Sequence, residues 1–319
     1  MSDRTLGELI TVRSPRGFDM EGIVFSHESN WITVVHVHGS FGNFYQNGFI
    51  RRMAQEYLAA GINLLSLNMT SHDGLAEGYR NSDFEYIGGA VADFEECLSD
   101  IEGAVQYARQ FGDLIILQGH SLGCDRVLHF LINRKASYDF ILLSPCDSYK
   151  LQAEWIAPET VEAQISRLKA KPSEPGLDWL PSEEYGVRGG GDWTYPIPIT
   201  RKAFLSIAEG PPYRLINIQH PTKFRLDQRA LIYIGGQDAL QVWPHSVMFP
   251  YLQERIPLAE EAFEVNGDHM LSGCESLVIR KITDWIGNGA TVERELTEVD
   301  RNRNKNCHLN PAEHIETHR

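Results

Sequence analysis

The chain has 319 residues, of which 42% are hydrophobic and 23% are charged. A chain of this length can bury one large core, and we expect one main domain with an insertion. Its 29 basic and 43 acidic residues give a formal charge of -14, which disfavours a nucleic-acid or anionic-membrane partner. No apolar run approaches the roughly 20 residues that cross a bilayer. The first ten residues, MSDRTLGELI, lack the features of a signal peptide, so we expect a cytoplasmic protein without membrane insertion.

Metal and redox motifs are missing from the sequence. The five cysteines are odd in number, widely spaced and free of any C-x-x-C pattern: Cys97, Cys124, Cys146, Cys274 and Cys307. This pattern favours reduced thiols over disulfides or a zinc site. An H-E-x-x-H motif and an Asp-rich calcium loop are also absent, and the glycine runs at 189–191 and 235–236 do not match phosphate-binding loops. We predict no metal and no cofactor.

The first third of the chain alternates between strand and helix patterns. Alternating and β-branched runs predict a two-stranded entry at residues 6–29 and further strands at 31–39 and 62–69. Apolar residues at helical spacing predict helices at 49–58 and 94–108. A strand, helix, strand order requires a parallel pair with a crossover. The polar, glycine-rich segment 70–89 is interpreted as a loop over the carboxyl edge of the sheet.

Residues 113–130, DLIILQGHSLGCDRVLHF, contain the most informative motif. An apolar strand pattern ends in Gly119-His120-Ser121-Leu122-Gly123 and passes directly into a helical pattern. A serine at so sharp a turn has a strained backbone, and glycine two residues away on each side leaves room for it. The pattern predicts a nucleophile elbow that exposes Ser121 above the sheet. Cys124, which follows on the same helix, is expected to pack in the interior.

The second half of the chain continues the alternation after an interruption. A strand pattern at 140–143 is followed by a proline-rich segment of weak periodicity, and strand and helix patterns return at 230–236, 243–255, 262–265 and 278–286. We predict a core of residues 1–145 and 230–287, an inserted cap of residues 146–229, and a C-terminal tail of residues 288–319 that is mobile or loosely packed.

The predicted cap is rich in aromatic residues for an insertion. These include Trp155, Trp179, Tyr185, Trp193, Tyr195, Phe204 and Tyr213. Some must pack against one another to keep the insertion folded. Others are candidates for the wall of a pocket that binds a bulky apolar substrate, and among these we select Trp155, Trp179, Trp193 and Tyr195.

Three residues fall in an order that points to hydrolytic chemistry. Ser121 lies at the elbow, Asp238 follows a later strand, and His269 follows the last strand. Residues 31–286 resemble the α/β-hydrolase superfamily in this order, in the elbow and in the HG-containing loop after Val37. The resemblance implies an α/β fold with a mostly parallel central sheet flanked by helices and an inserted cap.

The resemblance also implies roles for individual residues. Ser121 would be the nucleophile, His269 the general base that takes its proton, and Asp238 the carboxylate that orients the imidazole. Two backbone N–H groups would form the oxyanion hole. One belongs to Leu122, and the other to Ser40 or, as the second choice, Phe41.

Several neighbouring polar residues are weighed against these assignments. Asp147 follows the strand at 140–143, where some superfamily members keep the acid, and it is the alternative to Asp238. We select His38, Phe41 and His120 as candidates for substrate contact, with His120 also expected to buttress the elbow. Loop or packing roles are expected for the other candidates: Asp268, His72, Asp73, His36, His129, His220 and His245.

The favoured function is cofactor-independent hydrolysis of a carboxylic ester or lactone through an acyl-enzyme. The large aromatic cap suggests a bulky small-molecule substrate, and the combination is similar to serine esterases that open macrolide lactones. A small-acyl or lipid esterase or thioesterase is an alternative, because the fold and triad are shared by many activities. A non-catalytic ligand receptor on the same scaffold is a further alternative, although all three triad residues are present.

Overall fold

The computed structural model describes residues 6–172, 176–188 and 194–289. The strands, in chain order, are β1 (Glu8–Arg13), β2 (Asp19–Phe25), β3 (Ile32–Val37), β4 (Ile62–Leu67), β5 (Ala76–Arg80), β6 (Asp83–Ile87), β7 (Leu114–His120), β8 (Asp139–Leu143), β9 (Gly186–Arg188), β10 (Thr194–Pro196), β11 (Ala230–Gly235) and β12 (Ala259–Glu264). The helices are α1 (Gly48–Ala59), α2 (Cys97–Ala108), α3 (Leu122–Arg134), α4 (Ser148–Trp155), α5 (Val161–Ala170), α6 (Arg201–Ala208), α7 (His245–Arg255) and α8 (275–289). Short 3₁₀ turns cover Phe94–Glu96 and Pro211–Tyr213.

Eight strands form one sheet in the order β1-β2-β4-β3-β7-β8-β11-β12. β2 pairs antiparallel with both of its neighbours, and every other pairing in this sheet is parallel. β3, β4 and β11 are buried along their whole length, as expected for parallel strands covered on both faces. The prediction of a mostly parallel central sheet flanked by helices is confirmed.

Two apolar clusters cover the two faces of the sheet. On one face Leu117 and Phe140 pack with helices α2, α3 and α7, and on the other Ile116 and Ile141 pack with α1 and α8. Neighbouring strand residues fall in different clusters because successive side chains point to opposite faces. No helix among the described residues is both long enough and apolar enough to cross a membrane.

The segment 70–89 is not the irregular loop that its composition predicts. It contains the hairpin β5–β6, in which Tyr79 pairs with Phe84 and Ala76 with Ile87. Tyr79, Phe84 and Tyr86 lie exposed on one face of this hairpin, while Gly78 and Ile87 are buried on the other. The usual alternation of apolar inside and polar outside is therefore missing, which explains why the periodicity did not indicate strands.

Three helices and one strand pair fill the segment predicted as a cap. Side chains of Asp147, Thr160 and Thr200 accept hydrogen bonds at the N-termini of α4, α5 and α6. Leu168 and Phe204 from this segment pack in a third cluster that includes Leu122 of α3. At the end of the core, α8 continues to residue 289 and so includes the first two residues of the predicted tail, 288 and 289. The rest of that tail lies outside the described residues.

One carboxylate is buried in α3 without the partners that such a group normally has. Asp125 is fully buried, and within the described part of the chain neither of its carboxylate oxygens has a hydrogen-bond partner. Burial raises the pKa of Asp125 well above its ordinary value, and the charge of Asp147 raises it further. The folded protein therefore keeps a proton on Asp125 at a pH where the unfolded chain has lost it.

This proton makes the free energy of unfolding depend on pH. Between about pH 4, where an unfolded aspartate titrates, and the raised folded pKa, the free energy of unfolding falls as the pH rises. Asp125→Asn has no carboxyl group to titrate at this position, so its free energy of unfolding should not fall in this way. We expect the variant to have a higher urea midpoint than the wild type at pH 7, and the two midpoints to converge toward pH 4. A variant that is less stable than the wild type at pH 7 would contradict this account.

Candidate active site

The turn between β7 and α3 has the geometry that its glycines predict. Ser121 has φ 55° and ψ -127°, and its N–H donates to the carbonyl of Leu143 at 2.9 Å. A Cβ on Gly119 would collide with the carbonyl of Gly123, and a Cβ on Gly123 would collide with the carbonyl of Val37. Both positions therefore require glycine. Ser121 occupies a left-handed conformation that is strained for a residue with a side chain.

His269 and Asp238 meet across two strand-end loops. His269 Nδ1 lies 2.9 Å from Asp238 Oδ2, and the Asp238 side chain is fully buried. The other carboxylate oxygen accepts from the N–H of Leu240 at 2.8 Å. When the carboxylate of Asp238 accepts this hydrogen bond, Nδ1 carries the proton, which leaves Nε2 of His269 as the acceptor. This arrangement is that of an imidazole oriented to act as a base.

Two side chains hold the loop that carries His269. His120 Nε2 and Ser144 Oγ donate to the carbonyl of His269 at 2.8 and 3.2 Å. Burial lowers the pKa of His120 to about 3, so its ring is neutral. His120 thus links the end of β7, one residue before Ser121, to the loop of His269. His120 was expected to buttress the elbow, whereas its hydrogen bond supports the loop of His269.

The alternative acid, Asp147, is not placed against His269. Its carboxylate accepts from the N–H of Lys150, the indole N–H of Trp243 and the N–H of Ile218, at 2.9, 2.8 and 3.1 Å. These three bonds begin α4 and tie it to two segments nearer the C-terminus. The structure therefore brings Asp238, and not Asp147, to the histidine.

A cavity of about 320 Å³ opens beside Ser121 and His269, and several of the predicted site residues line it. Ser121, His120 and His269 line it, together with Gly39, Ser40, Phe41 and Leu122 from the candidate oxyanion hole. Its opposite wall comes from the 146–229 segment and includes Leu151, Gln152, Tyr185, Val187, Tyr195 and Ile197. The cavity therefore lies between the edge of the sheet and the segment 146–229.

Only some of the predicted substrate contacts line this cavity. Phe41, His120 and Tyr195 do, whereas Trp155, Trp179 and His38 are absent from its described lining. Trp155 donates its indole N–H to the carbonyl of Glu183 at 2.8 Å and packs over Gly186. Trp179 is 42% exposed, in a bridge to Thr200. Trp193 lies outside the described residues.

Sequence reasoning missed several residues of the cavity wall. Leu240 and Met270 line it, and their positions beside Asp238 and His269 were a usable signal. Tyr185 was counted among the aromatic residues of the insertion but was not selected. Leu151 and Gln152 lie on α4, a helix that was not predicted, so the sequence analysis did not place them at the cavity.

His38 supports the loop 38–42 and is absent from the described lining of the cavity. Its Nδ1–H donates to the carbonyl of Gly39 at 2.8 Å, and its Nε2 accepts from the N–H of Met69 at 3.2 Å. Burial, with the positive charge of Arg126, holds the pKa of His38 well below its ordinary value. A Cβ on Gly39 would lie 2.8 Å from Ser121 Cβ, so the loop 38–42 passes directly beside the serine.

The described residues contain no group of three or more His, Cys, Asp or Glu side chains arranged to hold a metal ion. Cys97, Cys124, Cys146 and Cys274 are buried free thiols, and Cys307 lies outside the described residues. Cys124 donates weakly to the carbonyls of Gly119 and Leu143 from the interior of α3. Burial raises the pKa of this thiol well above its ordinary value, so it remains protonated.

The different surroundings of the two aspartates give a paired prediction. Asp238→Asn disturbs the proton position on His269, and we expect kcat of a reaction in which His269 acts as a base to fall by on the order of 10⁴-fold. In the wild type, three N–H groups donate to the carboxylate of Asp147. In Asp147→Asn, an amide that has only one acceptor oxygen replaces this carboxylate. We expect this substitution to lower the free energy of unfolding by about 1–3 kcal/mol without a comparable loss of kcat. Urea denaturation and steady-state kinetics separate the two outcomes, and the reverse pattern would make Asp147 the acid.

Comparison with known proteins supports the fold. No protein-family model and no curated protein sequence matches the chain. Among solved structures, it is similar to mouse alpha/beta hydrolase domain-containing protein 10, with a TM-score of 0.60 and 15% identity over 88% of this chain and 99% of the mouse chain. It is also similar to the siderophore hydrolase EstB from Aspergillus fumigatus, with a TM-score of 0.60 and 12% identity over 90% of this chain and 98% of the EstB chain. For the Pyrococcus furiosus esterase Pf2001, the TM-score is 0.56 and the identity is 12%, over 89% of this chain and 91% of the Pf2001 chain. The chain has the α/β-hydrolase fold.

Proposed function

We propose that this protein is a serine hydrolase that cleaves a carboxylic ester or lactone through an acyl-enzyme intermediate. The observation that carries the proposal is the 2.9 Å contact of His269 Nδ1 with the buried Asp238, beside a cavity that Ser121 also lines. The left-handed turn at Ser121 adds support, because such strain is concentrated at functional sites. The esterase and the siderophore hydrolase among the structural neighbours agree with ester hydrolysis.

The proposed reaction has two acyl-transfer steps. Ser121 Oγ attacks the carbonyl carbon while His269 Nε2 takes its proton, and Asp238 stabilises the imidazolium. The oxyanion accepts hydrogen bonds from the N–H of Leu122 and from Ser40, or Phe41 as the second choice. His269 then protonates the leaving alkoxide. The alcohol departs from an ester, whereas in a lactone it becomes the free hydroxyl at the far end of the acyl group on Ser121. A water activated by His269 attacks the acyl-enzyme and releases the acid.

The proposed substrate is a small molecule held between the core and a cap of residues 146–229. A cavity of about 320 Å³ is at the lower end of the range of small-molecule sites, about 300–1,000 Å³. It suits an acyl or alcohol group of moderate size lying against Phe41, Tyr185 and Tyr195. A macrocyclic lactone would require outward movement of the cap. Small-acyl and lipid esters or thioesters are the alternative substrates.

The competing proposal of a ligand receptor makes a different prediction for turnover. A receptor would bind a small molecule in this cavity and release it unchanged. The retained contact between His269 and Asp238 favours turnover, because binding alone needs no oriented base. A screen of activated esters, thioesters and macrocyclic lactones, followed by mass spectrometry of the products, separates the two functions.

The proposal predicts one modified residue. After treatment with a fluorophosphonate, intact-protein mass spectrometry should show one adduct per chain, and peptide mapping should place it on Ser121. Ser121→Ala should abolish labelling and lower turnover by on the order of 10⁴-fold or more. Ser26→Ala, at an exposed serine, is the matched control and should label as the wild type does. Full turnover by a folded Ser121→Ala variant would refute the assignment.

A further inference from the structure

The elbow helix carries a buried arginine that none of the proposed chemical steps uses. Arg126 lies on α3, five residues after Ser121, and is only 3% exposed. Its Nη1 donates to the carbonyl of His38 at 2.7 Å and to that of Gly39 at 3.3 Å. The guanidinium therefore reaches back from the helix to the loop 38–42, beside the serine.

The surroundings of Arg126 are unusual for a buried cation. In the described part of the chain, no carboxylate oxygen lies within 4.0 Å of the Arg126 guanidinium, so this cation has no ion-pair partner there. Removing a charge from water costs several kcal/mol unless partners offset it. Nη1 of this guanidinium donates to the two loop carbonyls and lies 3.4 Å from His38 Nδ1. All three contacts are with the loop 38–42, so holding this loop is the interaction that compensates the burial of the charge.

The geometry of the peptide bond gives this contact its significance. The carbonyl of Gly39 and the N–H of Ser40 belong to one planar peptide unit, in which they point in opposite directions. Three donors hold this carbonyl: His38 Nδ1–H at 2.8 Å, the N–H of Gly42 at 3.2 Å and Arg126 Nη1 at 3.3 Å. Fixing the carbonyl fixes the N–H of Ser40, and hydrogen bonds to the carbonyl also polarise that N–H.

We propose that Arg126 is a positioning residue of the oxyanion hole: by holding the carbonyls of His38 and Gly39, it orients and polarises the N–H of Ser40 toward the developing oxyanion. This inference rests on the proposed acyl transfer at Ser121. It favours Ser40 over Phe41 as the second donor. The contribution of Arg126 arises in the transition state, because the charge on the substrate oxygen develops only there.

The test uses Arg126→Met, which removes the donors, and Arg126→Lys, which keeps the charge. Arg255→Met is the matched control. Arg255, at the end of α7, is also buried and donates to the carbonyls of Thr222 and Tyr251, away from the cavity. Circular dichroism and thermal unfolding verify that each variant is folded. Steady-state kinetics use a neutral activated ester that the wild-type protein hydrolyses.

The affinities for two ketones, one that forms an oxyanion in the site and one that does not, separate oxyanion binding from binding of the rest of the molecule. In a trifluoromethyl ketone, Ser121 Oγ bonds to the carbonyl carbon, its proton passes to His269, and the carbonyl oxygen becomes an oxyanion. The matching methyl ketone has the same skeleton and binds without this addition. For Arg126→Met we expect kcat and the affinity for the trifluoromethyl ketone to fall together by about 10²-fold. KM and the affinity for the methyl ketone should stay near wild-type values, Arg126→Lys should recover part of the loss, and Arg255→Met should keep wild-type kcat.

Three results would overturn the inference. The first is an unchanged kcat and trifluoromethyl ketone affinity in Arg126→Met. The second is an equal loss of affinity for both ketones, which would mean that Arg126 shapes the cavity. The third is a raised KM confined to esters that carry a carboxylate, which would make Arg126 an anion-binding residue. If Arg126→Met does not fold, the same ratios are measured on Arg126→Lys, which should show a smaller loss of the same kind. Activity retained by Ser121→Ala would instead refute the proposed function itself.

Discussion

The left-handed backbone at Ser121 is the constraint on which the rest of the site depends. It turns the chain from β7 into α3 within one residue, and it requires that Gly119 and Gly123 lack side chains. Gly123 then lies directly against the carbonyl of Val37, at the end of β3. The close packing of α3 on β3 is thus a consequence of the turn, and it brings the loop 38–42 beside the serine.

The sheet supplies the remaining parts because its strands are parallel. β3, β7, β8, β11 and β12 end at one edge, so the loops that follow them meet above it. Asp238 and His269 follow neighbouring strands and come within hydrogen-bonding distance. His120 and Ser144, at the ends of β7 and β8, both donate to the carbonyl of His269. The histidine loop is therefore held by the same two strands that frame the elbow.

The sequence was sufficient for features whose chemistry is local. The elbow pattern at 119–123, the order of Ser121, Asp238 and His269, and the parallel sheet all follow from short motifs and periodicity. Side-chain direction is not a local property, and there the structure differs from the expectation that three candidates line the cavity. Trp155, Trp179 and His38 have suitable chemistry for a pocket, but the backbone turns them toward Glu183, solvent and Met69.

The segment 146–229 shows the same limit of what residue types can predict. Because prolines interrupt its periodicity, the three helices α4, α5 and α6 were not predicted. Their N-cap residues are of ordinary types that could have marked the starts of the helices: Asp147, Thr160 and Thr200. The role of Asp147 depended on contacts with Trp243 and Ile218, nearly a hundred and about seventy residues away along the chain. The partnership of Arg126 with two backbone carbonyls left no trace in residue types at all, because a backbone acceptor has no side-chain signature.

The central claim is that an ester is cleaved through a covalent acyl group on Ser121. It is tested most directly by rapid-quench mass spectrometry during turnover of an activated ester whose acid is released slowly. The account predicts a burst of alcohol, an equal amount of protein heavier by one acyl group, and that group on the peptide that contains Ser121. Continuous alcohol release without any acylated protein, or an acyl group on another residue, would contradict it.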